Sequence, residues 1–149
     1  NTKMEYEPLI SIIKSMINSL NETDGKVRRA LRLSLRRTLQ YYTDLLPKMV
    51  SVKADEYNKL NFNLDLQIIS FDNSKKGELR LEHTTPLMSF VDYLTNLNPE
   101  EVEDEILNYS GCCWILKEED KKLNDNGHSQ KRPGGWKKCY EKAEIVLVA

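Results

Sequence analysis

The chain has 149 residues, of which 40% are hydrophobic and 30% are charged. This composition is typical of one globular domain with its own hydrophobic core, and it excludes a disordered chain and a small disulfide scaffold. Lys and Arg number 22 against 23 Asp and Glu, which gives a formal net charge of −1. Any contact with nucleic acid must therefore come from a local basic patch.

The cysteines and the hydropathy pattern indicate the cellular compartment of the protein. The three cysteines, Cys112, Cys113 and Cys139, are odd in number, and none has the C-x-x-C spacing of a structural zinc site. No stretch approaches the roughly 20 apolar residues that span a bilayer, and the first residues lack the order of a signal peptide. We therefore expect a cytoplasmic protein that does not bind membranes, with Cys112 and Cys113 as buried residues of a strand.

Two amphipathic helices are predicted at the start of the chain. Apolar residues recur at three- and four-residue spacings over residues 8–20 and again over residues 24–46, after which Pro47 ends the pattern. The apolar stripe of the second helix is flanked by five arginines: Arg28, Arg29, Arg32, Arg36 and Arg37. They form either a solvated surface whose counter-charges lie in the acidic run of residues 100–105, or a surface whose guanidinium groups bind phosphates.

The middle of the chain combines short helices with one clear strand. A short helix is expected over residues 54–60, residues 64–69 fit either a strand or the end of a helix, and residues 72–77 form a loop by composition. Residues 78–83 alternate polar and apolar side chains, which places Leu79, Leu81 and His83 on one face of a half-buried strand. Two further helices are predicted over residues 87–97 and 99–109.

The last third contains a second strand candidate, over residues 111–117, which runs directly into a helix that begins near residue 118. Residues 126–135 have the composition of a flexible loop, in which we expect His128 to be a mobile surface residue. A terminal helix is predicted over residues 136–145, followed by an apolar tail that docks on the core.

The predicted fold class is therefore α+β and mostly helical, in a single domain of residues 1–149. Two N-terminal helices, forming a hairpin over residues 1–50, pack on a small antiparallel core of two strands and a helix over residues 78–126. The loop of residues 126–135 and a C-terminal helix complete the domain. Most of the apolar cover of the core is expected from the two N-terminal helices.

One short motif resembles a known family. The first strand ends in Glu82-His83-Thr84-Thr85-Pro86, and the second strand leads into a helix that contains Asp120. Over about residues 78–126, a third of the chain, this pattern resembles the HNH or His-Me finger (ββα-metal) nucleases. In that family an acidic residue and a His end the first strand, and the helix after the second strand carries the last metal ligand. The resemblance implies hydrolysis of phosphodiester bonds in DNA or RNA, in a restriction, defence or toxin setting.

Carried over residue by residue, the resemblance implies that His83 is the general base. Glu82 and Asp120 become ligands of Mg²⁺ or Mn²⁺, with Asn124 as a substitute ligand. A neutral imidazole can deprotonate water while a divalent cation stabilises the charge that develops on the phosphate. The side chains that would bind phosphates are basic: Arg29, Arg32, Arg36, Lys117, Lys121, Lys122, Lys131 and Arg132. The asparagine that positions the family's histidine stays unassigned, and its candidates are Asn96, Asn98 and Asn108.

A non-catalytic interpretation of the same residues stays open. His83 is then a core histidine whose ring forms a hydrogen bond with a backbone carbonyl, and Glu82 and Asp120 are ordinary strand and helix residues. The corresponding function is an interaction or regulatory module that binds a protein or a nucleic acid through the arginine-rich second helix. In this case the basic face of residues 28–37 and the acidic face of residues 100–105 can join copies of the chain in an oligomer.

Overall fold

A computed structural model describes residues 3–149, with side chains from Glu5 onward. The described residues form helices and strands in this order: α1 (Lys3–Asn21), α2 (Gly25–Asp44), β1 (Met49–Val50), α3 (Val52–Asn61), β2 (Lys75–Lys76), β3 (Leu79–His83), α4 (Leu87–Thr95), α5 (Pro99–Leu107), β4 (Cys112–Leu116), α6 (Lys117–Asp125) and α7 (Trp136–Lys142). The predicted α+β, mostly helical fold class is confirmed. Within the described part, no helix combines the length and the apolar character needed to cross a bilayer.

The chain divides into two compact units. The helical unit contains the described residues up to Leu45 together with Leu87–Ser110, and the sheet unit contains Leu46–Pro86 together with Gly111–Ala149. The helical unit therefore includes α1, α2, α4 and α5. The insertion between β3 and β4, which makes the two predicted strands so distant in sequence, consists of two helices of the helical unit.

The helical unit buries one apolar stripe from each N-terminal helix. α1 buries Ile10, Ile13 and Ile17 at three- and four-residue spacings, and α2 buries Leu35 and Leu39. α1 packs against α2, α4 and α5, and α2 also packs against α4. The two N-terminal helices thus find apolar partners in the later helix pair, which the sequence pattern did not predict.

The sheet unit contains four strands in the order β1-β4-β3-β2. β3 pairs with β4 in antiparallel register, with His83 opposite Cys112 and Glu82 opposite Cys113, so the predicted strand pair is confirmed. β1 adds parallel to β4, and β2 adds antiparallel to β3. Each of these edge strands has only two residues, which is too short for a period-two pattern, and β2 lies within the predicted loop of residues 72–77. Residues 64–69 form neither a strand nor a helix.

Both faces of the sheet are covered within the unit. On one face, Leu81 and Trp114 pack with Ala54 of α3 and with Leu66, whose carbonyl accepts a hydrogen bond of 3.0 Å from the Trp114 indole. The other face packs against α6 and α7 through seven buried residues: Cys113, Ile115, Leu123, Cys139, Tyr140, Ala143 and Ile145. The predicted burial of Cys112 and Cys113 is confirmed.

A buried glutamate fixes the start of α6. The Glu119 carboxylate accepts the backbone N–H of Leu116 at 2.9 Å and the hydroxyl of Ser51, which caps α3, at 2.6 Å. Both donors lie at the beginning of a helix, where backbone N–H groups lack helical partners. One carboxylate therefore links the starts of α3 and α6 on the two sides of β1 and β4.

The C-terminal tail extends the sheet edge, and of its predicted apolar contacts with the core only that of Leu147 forms. α7 ends at Lys142, and Glu144 has a positive φ of 59°, so the helix stops before residue 145. Val146 accepts the backbone N–H of Val52 at 2.8 Å, and the N–H of Val148 donates to Val50 at 2.9 Å. The side chains of Val146 and Val148 are 64% and 48% exposed. Backbone pairing with the β1 region and the packing of Leu147 against the buried cluster beneath α6 and α7 therefore both hold the tail.

Candidate functional site

His83 and Glu82 leave opposite faces of β3. They are consecutive residues of one strand, and successive side chains of a strand alternate between its faces. His83 is 7% exposed and lies on the face of Leu79 and Leu81, where its ring centroid is 4.4 Å from that of Phe71. The structure therefore does not bring His83 together with Glu82, and the core position proposed as the alternative for His83 is the one observed.

Glu82 belongs to a buried polar cluster on the face that α6 and α7 cover. Its side chain is 15% exposed, and Oε2 accepts a hydrogen bond of 3.3 Å from Nη2 of Arg132. Oε1 accepts a hydrogen bond from the Tyr140 hydroxyl. The Arg132 side chain is 5% exposed and also donates to the carbonyls of Thr84, at 2.9 Å, and His128. We call Glu82, Arg132 and Tyr140 the Glu82 cluster.

Burial dominates the electrostatics of the Glu82 cluster. It raises the pKa of Glu82 to about 7, even though the Arg132 charge and the Tyr140 hydrogen bond lower it, and the Asp120 charge raises it further. Burial and the nearby Glu82 charge also raise the pKa values of the Cys113 thiol and the Tyr140 hydroxyl. Tyr140 therefore stays a neutral donor, and both oxygens of Glu82 are satisfied within the protein.

A cavity of about 460 Å³ lies along α6. It is lined by Glu78, Lys117, Glu118, Asp120, Lys121 and Asn124. Four of these residues were predicted as site residues, so α6 does bring part of the predicted site together. Two lining residues also make ion pairs, because Lys121 lies 2.7 Å from Asp125 and Glu118 lies 3.5 Å from Lys53.

The predicted ligands do not assemble around one ion. Among the side chains that the structure describes, no three His, Cys, Asp or Glu residues form a group that could hold a metal. Glu82 already accepts hydrogen bonds from Arg132 and Tyr140, so its oxygens are not offered to a cation. The ligand set implied by the resemblance, Glu82 together with Asp120, is therefore not arranged around one ion among the described side chains.

Three predicted phosphate ligands have other surroundings. Arg132 is buried and neutralises Glu82, which overturns its prediction as a phosphate contact. Lys122 is half-buried on α6 and does not line the cavity, whereas Lys131 is exposed beside Arg132. Only Lys131 of these three keeps the exposure that a phosphate contact needs.

Two arginines of α2 have partners within the helical unit. Arg28 donates to the carbonyl of Leu20 near the end of α1, where helix carbonyls lack partners. Arg32 forms an ion pair of 2.8 Å with Asp92 of α4. The guanidinium of Arg32, predicted to bind phosphate, therefore already has a carboxylate partner.

The remaining basic residues of α2 form an exposed surface. Arg29 and Arg36 are exposed and form no ion pair with any side chain from Glu5 to Ala149. Arg37 stacks over the Tyr41 ring, 5.0 Å from its centroid, and Leu33 is 57% exposed. We call this surface the α2 face and define it by six residues at helical spacings: Lys26, Arg29, Leu33, Arg36, Arg37 and Tyr41.

The three candidate asparagines lie in or beside the helices of the helical unit. The Asn96 amide donates to the carbonyl of Asp92 at 2.8 Å, and the Asn98 amide donates to Glu101 at 2.8 Å. Asn108 caps the C-terminus of α5. Asn96 and Asn98 thus have local partners beside α4 and α5.

Sequence reasoning missed the contribution of the loop of residues 126–135. His128, predicted as a mobile surface residue, is only 9% exposed, and its Nδ1 is buried without a hydrogen-bond partner in the described part of the chain. Its carbonyl binds Arg132, which in turn binds β3. A single buried arginine in a glycine-rich segment has no periodic sequence signal, so nothing in the pattern indicated this anchor.

Comparisons with protein-family models, with curated proteins and with solved structures found no match.

Proposed function

We propose that the protein is a non-catalytic interaction module whose α2 face binds an acidic protein surface. One observation carries this proposal: Arg29 and Arg36 are exposed on either side of the exposed Leu33 without an ion-pair partner among the described side chains. Arginine and tyrosine are enriched where proteins bind each other, and the α2 face also contains Tyr41.

The distance between the charged residues of the α2 face predicts the arrangement of charges on its partner. Arg29 and Arg36 are seven residues apart, which is about 10.5 Å along a helix. Leu33 lies between them on the same side. Guanidinium groups bind carboxylates in bidentate geometry. The complementary surface therefore presents carboxylates that two arginines about 10.5 Å apart can reach, beside an apolar group for Leu33.

A protein partner accounts for the α2 face better than a nucleic acid does. The formal net charge of the chain is −1, which gives no general attraction for a polyanion. Leu33 can pack on an apolar group of a protein partner, whereas a phosphate backbone offers no such group. Nucleic acid is therefore the competing outcome in the test of this proposal.

The test uses a labelled acidic helical peptide of about 20 residues, with Glu residues seven apart and Leu between them. Fluorescence anisotropy should show binding at about 50 mM salt that weakens at about 300 mM, because salt screens exposed charges. R29Q/R36Q should bind at least about tenfold more weakly, a loss of about 1.4 kcal/mol. The matched control, K53Q/K59Q, removes two positive charges from the exposed side of α3 and should bind like the wild type.

Labelled duplex DNA and single-stranded RNA form the second arm of the same titration. Equal peptide binding by R29Q/R36Q and the wild type would refute the proposal. Tighter binding of either nucleic acid than of the peptide, lost in R29Q/R36Q, would assign the α2 face to phosphate binding instead.

Phosphodiester hydrolysis of DNA or RNA, in a restriction, defence or toxin setting, is a second proposal. The observation that favours it is the cavity along α6, where Asp120, Asn124 and Lys117 share one opening. Plasmid and RNA cleavage with Mg²⁺ or Mn²⁺ tests it directly. If this cavity cleaves, D120N should lose the activity and H83A should keep it, because His83 lies on the other face of β3. No cleavage by the wild type on any substrate would dismiss the second proposal.

A further inference from the structure

We infer that the acidic partner of the α2 face is the α5 helix of a second copy of this chain, an inference that rests on the function proposed for the α2 face. α5 contains five acidic residues and no basic residue in its nine positions: Glu100, Glu101, Glu103, Asp104 and Glu105. α2 contains six basic residues and one acidic residue, Asp44, at its last position. One chain therefore carries two helices of opposite charge, both in the helical unit.

Internal contacts use only some of the acidic residues of α5. Glu103 lies 3.8 Å from Lys14 of α1, and Glu105 interacts with the Tyr93 hydroxyl. Glu100 and Asp104 are exposed and make no ion pair with a described side chain. They lie one helical turn apart, so they project from the same side of α5. We call Glu100, Glu101 and Asp104 the α5 face.

The two faces match in the sign of their charges. Arg29 and Arg36 are about 10.5 Å apart along α2, and Glu100 and Asp104 are about 6 Å apart along α5, a difference that the long arginine side chains can span. Tyr93 of α4 is 47% exposed beside the acidic residues of α5 and offers an aromatic surface to the guanidinium groups or Leu33 of the other copy. The charges and the exposed apolar group of the α2 face thus have counterparts on the α5 side of the same unit.

The two faces of one copy do not neutralise each other. α2 and α5 bury their inner sides in the same core, where the Tyr42 hydroxyl donates to the carbonyl of Ile106 at 3.1 Å. Their charged residues are on the exposed sides, away from this contact. A second copy can therefore satisfy both faces, whereas the same copy cannot. The contact joins different surfaces of the two copies, so it is heterologous and can continue from one copy to the next.

The experiment is sedimentation velocity of the full chain over a concentration series. At about 50 mM salt the average mass of the wild type should rise with concentration, and at about 500 mM salt it should fall back toward the monomer. R29E/R36E and E100K/D104K should each stay monomeric, because each has lost one of the two faces. The control K53E/K59E reverses charges on α3 and should associate like the wild type.

Mixing the two variants gives the decisive result. R29E/R36E keeps an intact α5 face and E100K/D104K keeps an intact α2 face, and their two reversed faces are also opposite in charge, so an equimolar mixture should associate although neither variant does so alone. All substituted side chains are exposed, and circular dichroism of each variant verifies its fold. The milder pair R29Q/R36Q and E100Q/D104Q repeats the experiment without new charges, should either reversal disturb folding.

Three results would overturn this inference: a monomeric wild type at every concentration and salt, association of E100K/D104K equal to that of the wild type, or no complex in the mixture. Peptide binding separates this failure from failure of the proposed function. If the wild type stays monomeric but binds the acidic peptide through Arg29 and Arg36, the α2 face keeps its function and only the second copy is excluded as its partner.

Discussion

The Glu82 cluster and the α2 face contain similar residue types in opposite situations. In the cluster, Arg132 is 5% exposed and its guanidinium binds a carboxylate and two carbonyls. On the α2 face, Arg29 and Arg36 are exposed and have no acidic partner in the described part of the chain. This difference indicates that an arginine with partners inside the protein stabilises the fold. An exposed arginine without such partners can instead bind another molecule.

The largest effect is expected from removing Arg132. R132A leaves Glu82 buried without its cation, and uncompensated buried charges cost about 3 to 5 kcal/mol. Urea denaturation at about pH 8, above the pKa of Glu82, should show this loss in the free energy of unfolding. R29A should change the same quantity by less than about 0.5 kcal/mol. Similar losses of unfolding free energy in R132A and R29A would contradict the distinction between the buried Glu82 cluster and the exposed α2 face.

The pH dependence of stability provides the second test. Folding raises the pKa of Glu82 from 4.5 to about 7, so the folded state binds the proton more tightly than the unfolded state. The stability that this provides is complete below about pH 4.5 and is lost as the pH rises through 7, in total about 3 kcal/mol. The wild type should therefore lose stability relative to E82Q over this range. A constant difference between the two proteins would show that Glu82 is not held in a desolvated site.

His83 is expected to contribute to stability rather than to chemistry. H83A removes a buried ring that packs against Phe71, and we expect a loss of about 1 to 3 kcal/mol. Chemical denaturation gives the free energies of unfolding of H83A and H83N. The difference between them measures this packing, because the asparagine side chain fills part of the volume of the histidine ring. An unfolding free energy equal to that of the wild type would contradict the core position of His83.

The smallest effect is expected from the ion pair between Arg32 and Asp92. Both side chains are more than a third exposed, and exposed ion pairs contribute about 0.2 to 1 kcal/mol. A double-mutant cycle of R32A and D92A isolates this energy and should find it within that range. A coupling energy above about 2 kcal/mol would contradict this prediction, because it would be typical of a buried ion pair such as that of Arg132 and not of an exposed one.

Local sequence patterns predicted most of the helices and strands, but few of the tertiary contacts that their side chains make. The alternation over Leu79–His83 predicted both the strand and the common face of its apolar residues, because a period of two is set by the backbone itself. The same alternation separates Glu82 from His83, a consequence that the motif resemblance obscured. β1 and β2, with two residues each, carry no period and were missed.

The partners of charged residues depend on tertiary contacts that no local pattern encodes. Arg32 and Asp92 are 60 positions apart, and Glu82 and Arg132 are 50 positions apart. The sequence could therefore predict a basic face on α2 and a basic loop before α7, but it could not tell which arginines the fold would use. Arg29 and Arg132 both lie in basic segments of the sequence, and only the structure shows that Arg132 is buried whereas Arg29 is exposed.

The central claim is that Arg29 and Arg36 form a binding surface for an acidic protein. Its most direct measurement is the affinity of the acidic helical peptide for R29Q/R36Q relative to K53Q/K59Q, two variants that lose the same charge at different exposed helices. The account predicts that only R29Q/R36Q binds more weakly, by at least about tenfold. Equal affinities of the two variants would contradict it.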